Sequence, residues 1–447
     1  MRIKFLFLCL LSFCLQAEEI EVRLKTAADL KPVYISQVNT DPSLFDWRYF
    51  EDLRSVLEFD LSTGGMAAVV TNRGEWEQSI HWPDPRRDFD LPLWRREKIS
   101  YVLTLSVTKN SLQITAFNVE KGTSKRYPEF TLTGKIEEDR RPMHKLADGI
   151  HSDLFGIEGI ASLRLIYSQR VRGAKSEYQS EIWVSDSDGA NANQVTEENT
   201  YSLTPSFYPH TAGMQNAPFF YVSYKQGQSK IYRSTLNGEK PEPVVDLRGS
   251  QALPAINGRG TQMAFIADAA GRPDLFVQSF DNLGQAIGKS RQLFSCPRAS
   301  QASPTFSPDG KKIAFVSDKD GPPRIYQIEV TSPKDTKRAK PRLLTARNRE
   351  NTCPCWSPDG KKLAYSAKVD GARQIWIYDF ETEQEYPMTT GPLNKENPSW
   401  APDSFHIVYN TDDDELGDVY LIDLNRKEPV QISKGSGQKR FPSFETR

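Results

Sequence analysis

Residues 302–330 read ASPTFSPDGKKIAFVSDKDGPPRIYQIEV, and the chain returns to this pattern several times. CPCWSPDG at 353–360, NPSWAPDS at 397–404 and, more loosely, LTPSFYP at 203–209 share its opening, a Pro-x-aromatic strand running into a turn. KKLAYSAKVDG from 361 and FHIVYNTDDDE from 405 share its middle, and QIWIYDF and DVYLIDL share its end. The anchoring prolines are Pro205, Pro254, Pro304, Pro354, Pro398 and Pro442, spaced by 49, 50, 50, 44 and 44 residues. In SPDG the proline presets the first turn position, and Asp and Gly tolerate positive φ. Ile313 and Phe315, and one unit later Leu363 and Tyr365, alternate with smaller residues, while RIYQI and QIWIY are β-branched and aromatic runs of strand length. Each unit therefore predicts four antiparallel strands, PTF, KKIAFVS, RIYQIEV and RLLT in the best copy. One such sheet cannot cover both of its faces, so six units of this length predict a ring of blades, a β-propeller over 156–447.

The register also predicts how the ring closes. The first unit has LRLIYS at 163–168 and EIWVSD at 181–186 but no Pro-x-aromatic strand before them. Phe441-Pro442-Ser443-Phe444 at the other end is an orphan copy of that strand, so the two ends should share a blade. Residues 18–155 lack the repeat and read as an α/β domain. Leu44, Trp47, Leu53 and Leu57 recur at helical spacing, MAAVVT follows as a strand, and SYVLTLSVTKNSLQITAFNV is a hairpin turning at Lys109-Asn110-Ser111. Leu146, Ile150 and Leu154 then mark one face of a helix in RRPMHKLADGIHSDLFG, and no Gly/Ser-rich linker parts it from the first blade. The Trp-, Pro- and Arg-rich stretch 72–98 fits no element of this reading. The fold class expected is mainly β, an N-terminal α/β domain followed by a six-bladed propeller closed by the C-terminal strand.

Residues 1–17 are of a third kind. Arg2 and Lys4 precede an apolar run from Phe5 to Leu15, and Ala17 offers a small residue for cleavage before Glu18. This composition predicts a secretory signal, cut after Ala17, and export of the mature chain. Cys14 invites a lipoprotein reading, but Phe13 before it is too bulky for that signal. The chain carries 57 basic and 58 acidic residues, a balance that gives no footing for a nucleic-acid partner, and no other segment is apolar enough to insert in a membrane.

Catalytic constellations are mostly missing from the sequence. Neither Gly435-Ser436-Gly437 nor Arg248-Gly249-Ser250 forms the elbow a serine hydrolase requires. Of the five histidines, His81, His144, His151, His210 and His406, two lie with Asp148 on one helical face. His144, Asp148 and His151 resemble a metal ladder, but without a third strong ligand nearby the reading adopted is a helix packed against the propeller. Asp412-Asp413-Asp414-Glu415 lacks the glycine-spaced loop of an EF-hand and reads as solvated. Cys353 and Cys355 share a strand face with no histidine or second cysteine pair, so packing is favoured over metal or redox work; Cys296 has no evident role. No catalytic, cofactor or metal site is assigned.

An exported chain with an α/β domain, the junction pattern R-x-x-x-H-x-x-A-D-x-I (Arg140 or Arg141, His144, Ala147, Asp148, Ile150), a Leu-Phe-Gly-x-x-Gly turn at 154–159 and six SPDG-type blades resembles the TolB family of the periplasmic Tol-Pal system. The likeness covers the mature chain; the degenerate second and third repeats and residues 72–98 depart from the family pattern. It implies a monomeric binding protein rather than an enzyme, holding a Pal-like peptidoglycan-associated lipoprotein at one end of the channel and a TolA-like inner-membrane protein through an N-terminal extension, 18–30. A propeller peptidase subunit or a carbohydrate-binding or lyase propeller is the alternative. On a rigid scaffold specificity lies in loops. The loops leading into the inner strands supply the expected Pal contacts: Arg298, Ser300 and Gln301; Arg349, Asn351 and Thr352; Lys395 and Asn397; and Arg440. Ile20, Val22 and Leu24, alternating with charges in EEIEVRLKTAADL, are the expected TolA contacts, as an edge-adding strand would present them.

Overall fold

The computed structural model describes residues 30–447 except 72, 83–85, 87–88, 173–177, 282–283, 332–338, 414–415 and 427. Residues 1–29, and with them the signal segment and Ile20, Val22 and Leu24, lie outside the described residues.

Each repeat folds as a four-stranded antiparallel sheet, and six such sheets form the propeller. In the best copy the strands are Gln301–Phe306, Lys312–Ser317, Arg324–Glu329 and Arg342–Leu343. The alternation seen in the sequence becomes packing between blades. Ile313 and Phe315 face back toward Ala264, Ile266 and Leu275 of the preceding sheet, whereas Ala314 and Val316 face forward onto Leu363 and Tyr365 of the next. A blade thus has two apolar faces and no solvent face, which is why a unit alone could not be stable.

All six inner strands are bent at one place. Thr204, Leu253, Ser303, Cys353, Asn397 and Phe441, the residues before the six anchoring prolines, have φ of 50, 53, 44, 50, 53 and 56°. At each of these sites the pairing register slips, as between Ala302 and Thr305 or between Thr352 and Cys355. The proline has no N–H to give the ladder, and its predecessor sits in a left-handed conformation costing roughly 1 kcal/mol or more. The repeated proline therefore marks a bulge built into every blade.

The ring closes as the register requires. Gln438–Phe444 pairs antiparallel with Arg164–Arg172 and becomes the inner strand of the first blade, whose remaining strands are Tyr178–Asp186 and Asn193–Gln194. Just past the closing strand, Glu445 is fully buried and accepts from the Arg164 backbone N–H and from its Nε, both at 2.8 Å. The Glu445 N–H returns a bond of 3.0 Å to the Arg164 carbonyl.

The N-terminal region holds one mixed sheet. Its strand order is Ala67–Val70, Lys31–Asn39, Tyr101–Thr108, Ser111–Asn118 and Thr123–Arg126, with Phe130–Thr131 also on the fourth. The hairpin turns at Lys109 and Asn110, both at positive φ. One sheet face, with Val33, Ile35, Leu103 and Leu105, packs on the helices Trp47–Thr63 and Ile136–Phe155 through Leu53, Leu57, Met143 and Ile150. The other face, with Tyr34, Val102 and Phe117, is covered by residues from 72–98: Trp76, Ile80, Phe89 and a fully buried Trp94. Phe89 stacks on Phe117 with centroids 4.1 Å apart. The segment that fitted no sequence pattern is the second hydrophobic lid of this sheet.

This region docks on the end of the propeller where inner strands finish, against the first and last blades. The contact gathers at the C-terminal end of helix Trp47–Thr63, where backbone carbonyls lack helical partners and carry partial negative charge. The Thr63 carbonyl meets His406 Nε2 at 2.8 Å, and those of Gly65 and Ala67 accept from Asn425 Nδ2 at 3.1 Å and Arg426 Nη2 at 2.8 Å, while that of Gly64 meets His151 Nε2 of the region's own second helix at 3.1 Å. Gly64 is required here, since a Cβ on it would lie 2.7 Å from the His151 ring.

Two variants test the closure. A chain ending at Lys439 should show no cooperative unfolding transition by calorimetry. Glu445→Ala, which leaves the Arg164 guanidinium buried without its carboxylate, should lower stability by about 3 kcal/mol in urea titration.

Candidate functional site

With the α/β region on one end, the other end of the propeller, where inner strands begin, stands open. The sequence-predicted residues divide there into two sets. Arg298 and Ser300 are exposed on the turn before Gln301–Phe306, and Arg349 is exposed on the loop before Asn351–Trp356. Arg298 itself has φ of 62°, and the Ser300 N–H is held by Asp318 Oδ1 at 2.7 Å, so this turn is braced against its own blade.

Gln301, Asn351 and Lys395 are different, and the structure moves them from the rim into the blades, where they are 2, 0 and 9% exposed. They stand three residues before Pro304, Pro354 and Pro398, and Ser202, Gln251 and Lys439 hold the same buried position in the other blades. Their polar atoms tie down the loop that precedes the strand. Gln251 Nε2 donates to the Val245 and Leu247 carbonyls at 3.2 and 2.8 Å, and Asn351 Nδ2 donates to Thr345 Oγ1 and the Asn348 carbonyl, both at 3.0 Å. Lys395 Nζ donates to Gln374 Oε1, to Thr390 O and to Leu393 O, and Lys439 Nζ donates to Gly435 O at 2.7 Å. Burial holds the Lys395 ammonium below its ordinary pKa. The backbone N–H of this position reaches the preceding blade: Gln251 to Ser229 O, Gln301 to Pro273 O, Asn351 to Pro323 O and Lys439 to Gly417 O, at 2.8–3.0 Å. Atoms so engaged are committed within the propeller, and they fix the loops at this end.

The next position along supplies a polar chain across three neighbouring blades. Thr352 Oγ1 accepts from Arg373 Nη1 at 3.1 Å, Arg373 Nε meets Glu396 Oε1 at 3.0 Å, and Arg440 Nη2 donates to Asp412 Oδ1 at 2.5 Å. Burial and the neighbouring Asp412 raise the Glu396 carboxyl, with Arg373 and Arg440 opposing. Asn397 Nδ2 bonds Asn410 Oδ1 at 2.9 Å. Thr352, Asn397 and Arg440 are thus part-exposed members of a braced network, with Arg298 and Arg349 as unbraced cations outside it. Sequence reading missed Arg373, Glu396 and Asp412 in this role; that Glu396 and Arg440 both fall two residues before their prolines was the available signal.

Elsewhere, His144 lies with Asp186 and Asp188 with potential ligand atoms within 4.8 Å of one another, but the Arg140 guanidinium already holds Asp188. His144 Nδ1 is 2.7 Å from Asp60 Oδ2, and Asp148 accepts from Ala161 N at 2.8 Å and from Ser162 N at 3.0 Å. The residues of the suspected metal ladder are each committed to domain packing. Burial pushes the Cys353 and Cys355 thiols up, Cys355 to about 11, so both stay protonated and poorly nucleophilic. Asp414 and Glu415 lie outside the described residues. Among the described residues no helix is long and apolar enough to cross a membrane.

Known proteins share this architecture. The family described as the TolB beta propeller domain matches residues 151–446. A protein TolB homolog of Protochlamydia amoebophila is 40% identical over 384 residues, which cover 85% of this chain and 82% of that one. A protein TolB homolog of Chlamydia felis is 35% identical over 286 residues, 63% of this chain and 60% of that one, so the match spans less than two thirds of that relative. The crystal structure of TolB from Acinetobacter baumannii has a TM-score of 0.74 over 94% of this chain and 97% of that chain, at 21% identity, a likeness of fold.

The division of the mouth residues is measurable. Asn351→Ala and Gln251→Ala should each cost about 1–3 kcal/mol in urea unfolding, because buried loop groups lose their partners. Arg298→Ala and Ser300→Ala should stay within about 0.5 kcal/mol of the parent.

Proposed function

This chain belongs to the TolB family, and we propose that it is a non-enzymatic periplasmic scaffold of a Tol-Pal-type system. In this reading the open mouth of the propeller holds a Pal-like peptidoglycan-associated lipoprotein. The N-terminal segment 18–30, with Ile20, Val22 and Leu24, adds as a strand to a TolA-like inner-membrane protein. The pair of contacts supports outer-membrane integrity during cell division.

The observation that carries the mouth assignment is the asymmetry of the propeller's two ends. One end is occupied by the α/β region, and the other presents exposed Arg298 and Arg349 beside the braced network of Thr352, Asn397 and Arg440. Rigid loops with a few protruding cations suit a pre-organised surface for acidic or carbonyl groups, since little side-chain order remains to be lost on binding. Ser300 belongs to the same rim. Gln301, Asn351 and Lys395 act in this reading as loop supports.

Replacing Arg298 and Arg349 together by Ala should weaken capture of the soluble domain of a Pal-like lipoprotein about a hundredfold in calorimetric titration, as expected when energy concentrates in few contacts. The melting temperature should hardly move. Parent-like affinity would place the contact elsewhere. Deleting residues 18–30 should abolish binding to a TolA-like domain in the same assay and leave the Pal-like capture intact.

A further inference from the structure

One histidine at the seam between the α/β region and the propeller sits in an unusual chemical position: both of its ring nitrogens face groups that can only accept. His406 Nδ1 lies 2.5 Å from Asp403 Oδ2, and its Nε2 lies 2.8 Å from the Thr63 carbonyl across the seam. A neutral imidazole has one N–H and one lone pair, so it can satisfy only one of its two acceptors. The imidazolium satisfies both. The ring is 2% exposed, so water cannot easily supply the missing donor.

We propose that this seam is a proton-operated latch, in which His406 holds the α/β region to the propeller as an imidazolium cation and the contact loosens when it loses a proton. The acceptor across the seam is the Thr63 carbonyl at the C-terminal end of helix Trp47–Thr63, where a cation is favoured by the helix dipole. The charged groups around the ring are consistent with this. His406 faces Asp403 and Asp423, the latter with Arg426 at 3.7 Å, and from the α/β side it meets the Thr63 carbonyl. Farther along the seam, Asp60, Asp148 and His151 line a cavity of about 10 Å³. Beyond that cavity Asp60 pairs with His144, which faces Asp186, Asp188 and Arg140.

Burial opposes the charged form of His406, but the Asp403 carboxylate and the Thr63 carbonyl outweigh it and raise its pKa, while the same pairing lowers that of Asp403. A raised pKa contributes stability at low pH that is lost as pH rises through the folded value; a lowered carboxylate pKa contributes stability lost as pH falls through its own. The latch is thus tight between these limits and loosens on the alkaline side. Asn425 and Arg426 keep their bonds to Gly65 and Ala67 throughout, so the expected change is a weaker seam.

The test uses the full mature chain. Long-range proton–nitrogen NMR of the imidazoles at pH 6–7 should show both nitrogens of His406 protonated. Amide exchange at 63–67, corrected for the chemical rate, should quicken by up to about tenfold per pH unit above the folded pKa. His406→Gln should remove that pH dependence, with exchange in the propeller strands as the control for folding. A singly protonated His406 ring at pH 6–7, or seam exchange that follows the chemical rate in the parent, would overturn the proposal, and the parent spectrum decides it even if the variant does not fold.

Discussion

Every blade is bent at the residue before its proline, and the rest of the propeller is arranged around that bend. A left-handed residue followed by a proline breaks the inner ladder at one point per blade, in six different residue types. Such conformations persist only where their surroundings hold them. Here the support is the buried polar residue two positions earlier, whose side chain ties the preceding loop and whose N–H, at Gln251, Gln301, Asn351 and Lys439, reaches the neighbouring blade. The bend, the loop and the contact between blades form one unit, repeated around the axis. The mouth is consequently built of loops that their own blades hold in place.

The same economy governs the two places where the repeat is interrupted. At the ring's closure, strand pairing alone would leave the terminal residues free to fray, and the Arg164–Glu445 pair, buried and joined to backbone on both sides, prevents it. At the seam, a helix C-terminus would bury unsatisfied carbonyls, and side chains from the junction helix and the last blade take them in turn. The closure puts charge inside the protein and depends on each charged group keeping its partner.

Much of this was legible in the sequence because the repeat reports itself. Pro-x-aromatic at spacings of 44–50 residues gave the blades, and the orphan Phe441-Pro442-Ser443-Phe444 gave the closure. What stayed hidden depends on contacts between distant residues. Trp76, Phe89 and Trp94 find their partners in Tyr34 and Phe117 across a sheet face, and no local period announces that. The Lys31–Asn39 strand has its pairs at Ala67 and Tyr101 onward. At the mouth, Gln301, Asn351 and Lys395 were read as rim residues because they are polar and adjoin polar loops. Their recurrence three residues before the proline in every blade was the sign of a structural role, since a partner-contacting residue need not repeat in all six.

We propose that the propeller works through the end its α/β region leaves open. A photo-reactive benzoylphenylalanine placed at Arg298 or Arg349, and separately at Asp309 or Lys361 in the turns at the opposite end, reads this directly in living cells. Crosslinks to an outer-membrane lipoprotein from the first pair and not from the second are the predicted result. Crosslinks confined to the second pair would contradict it.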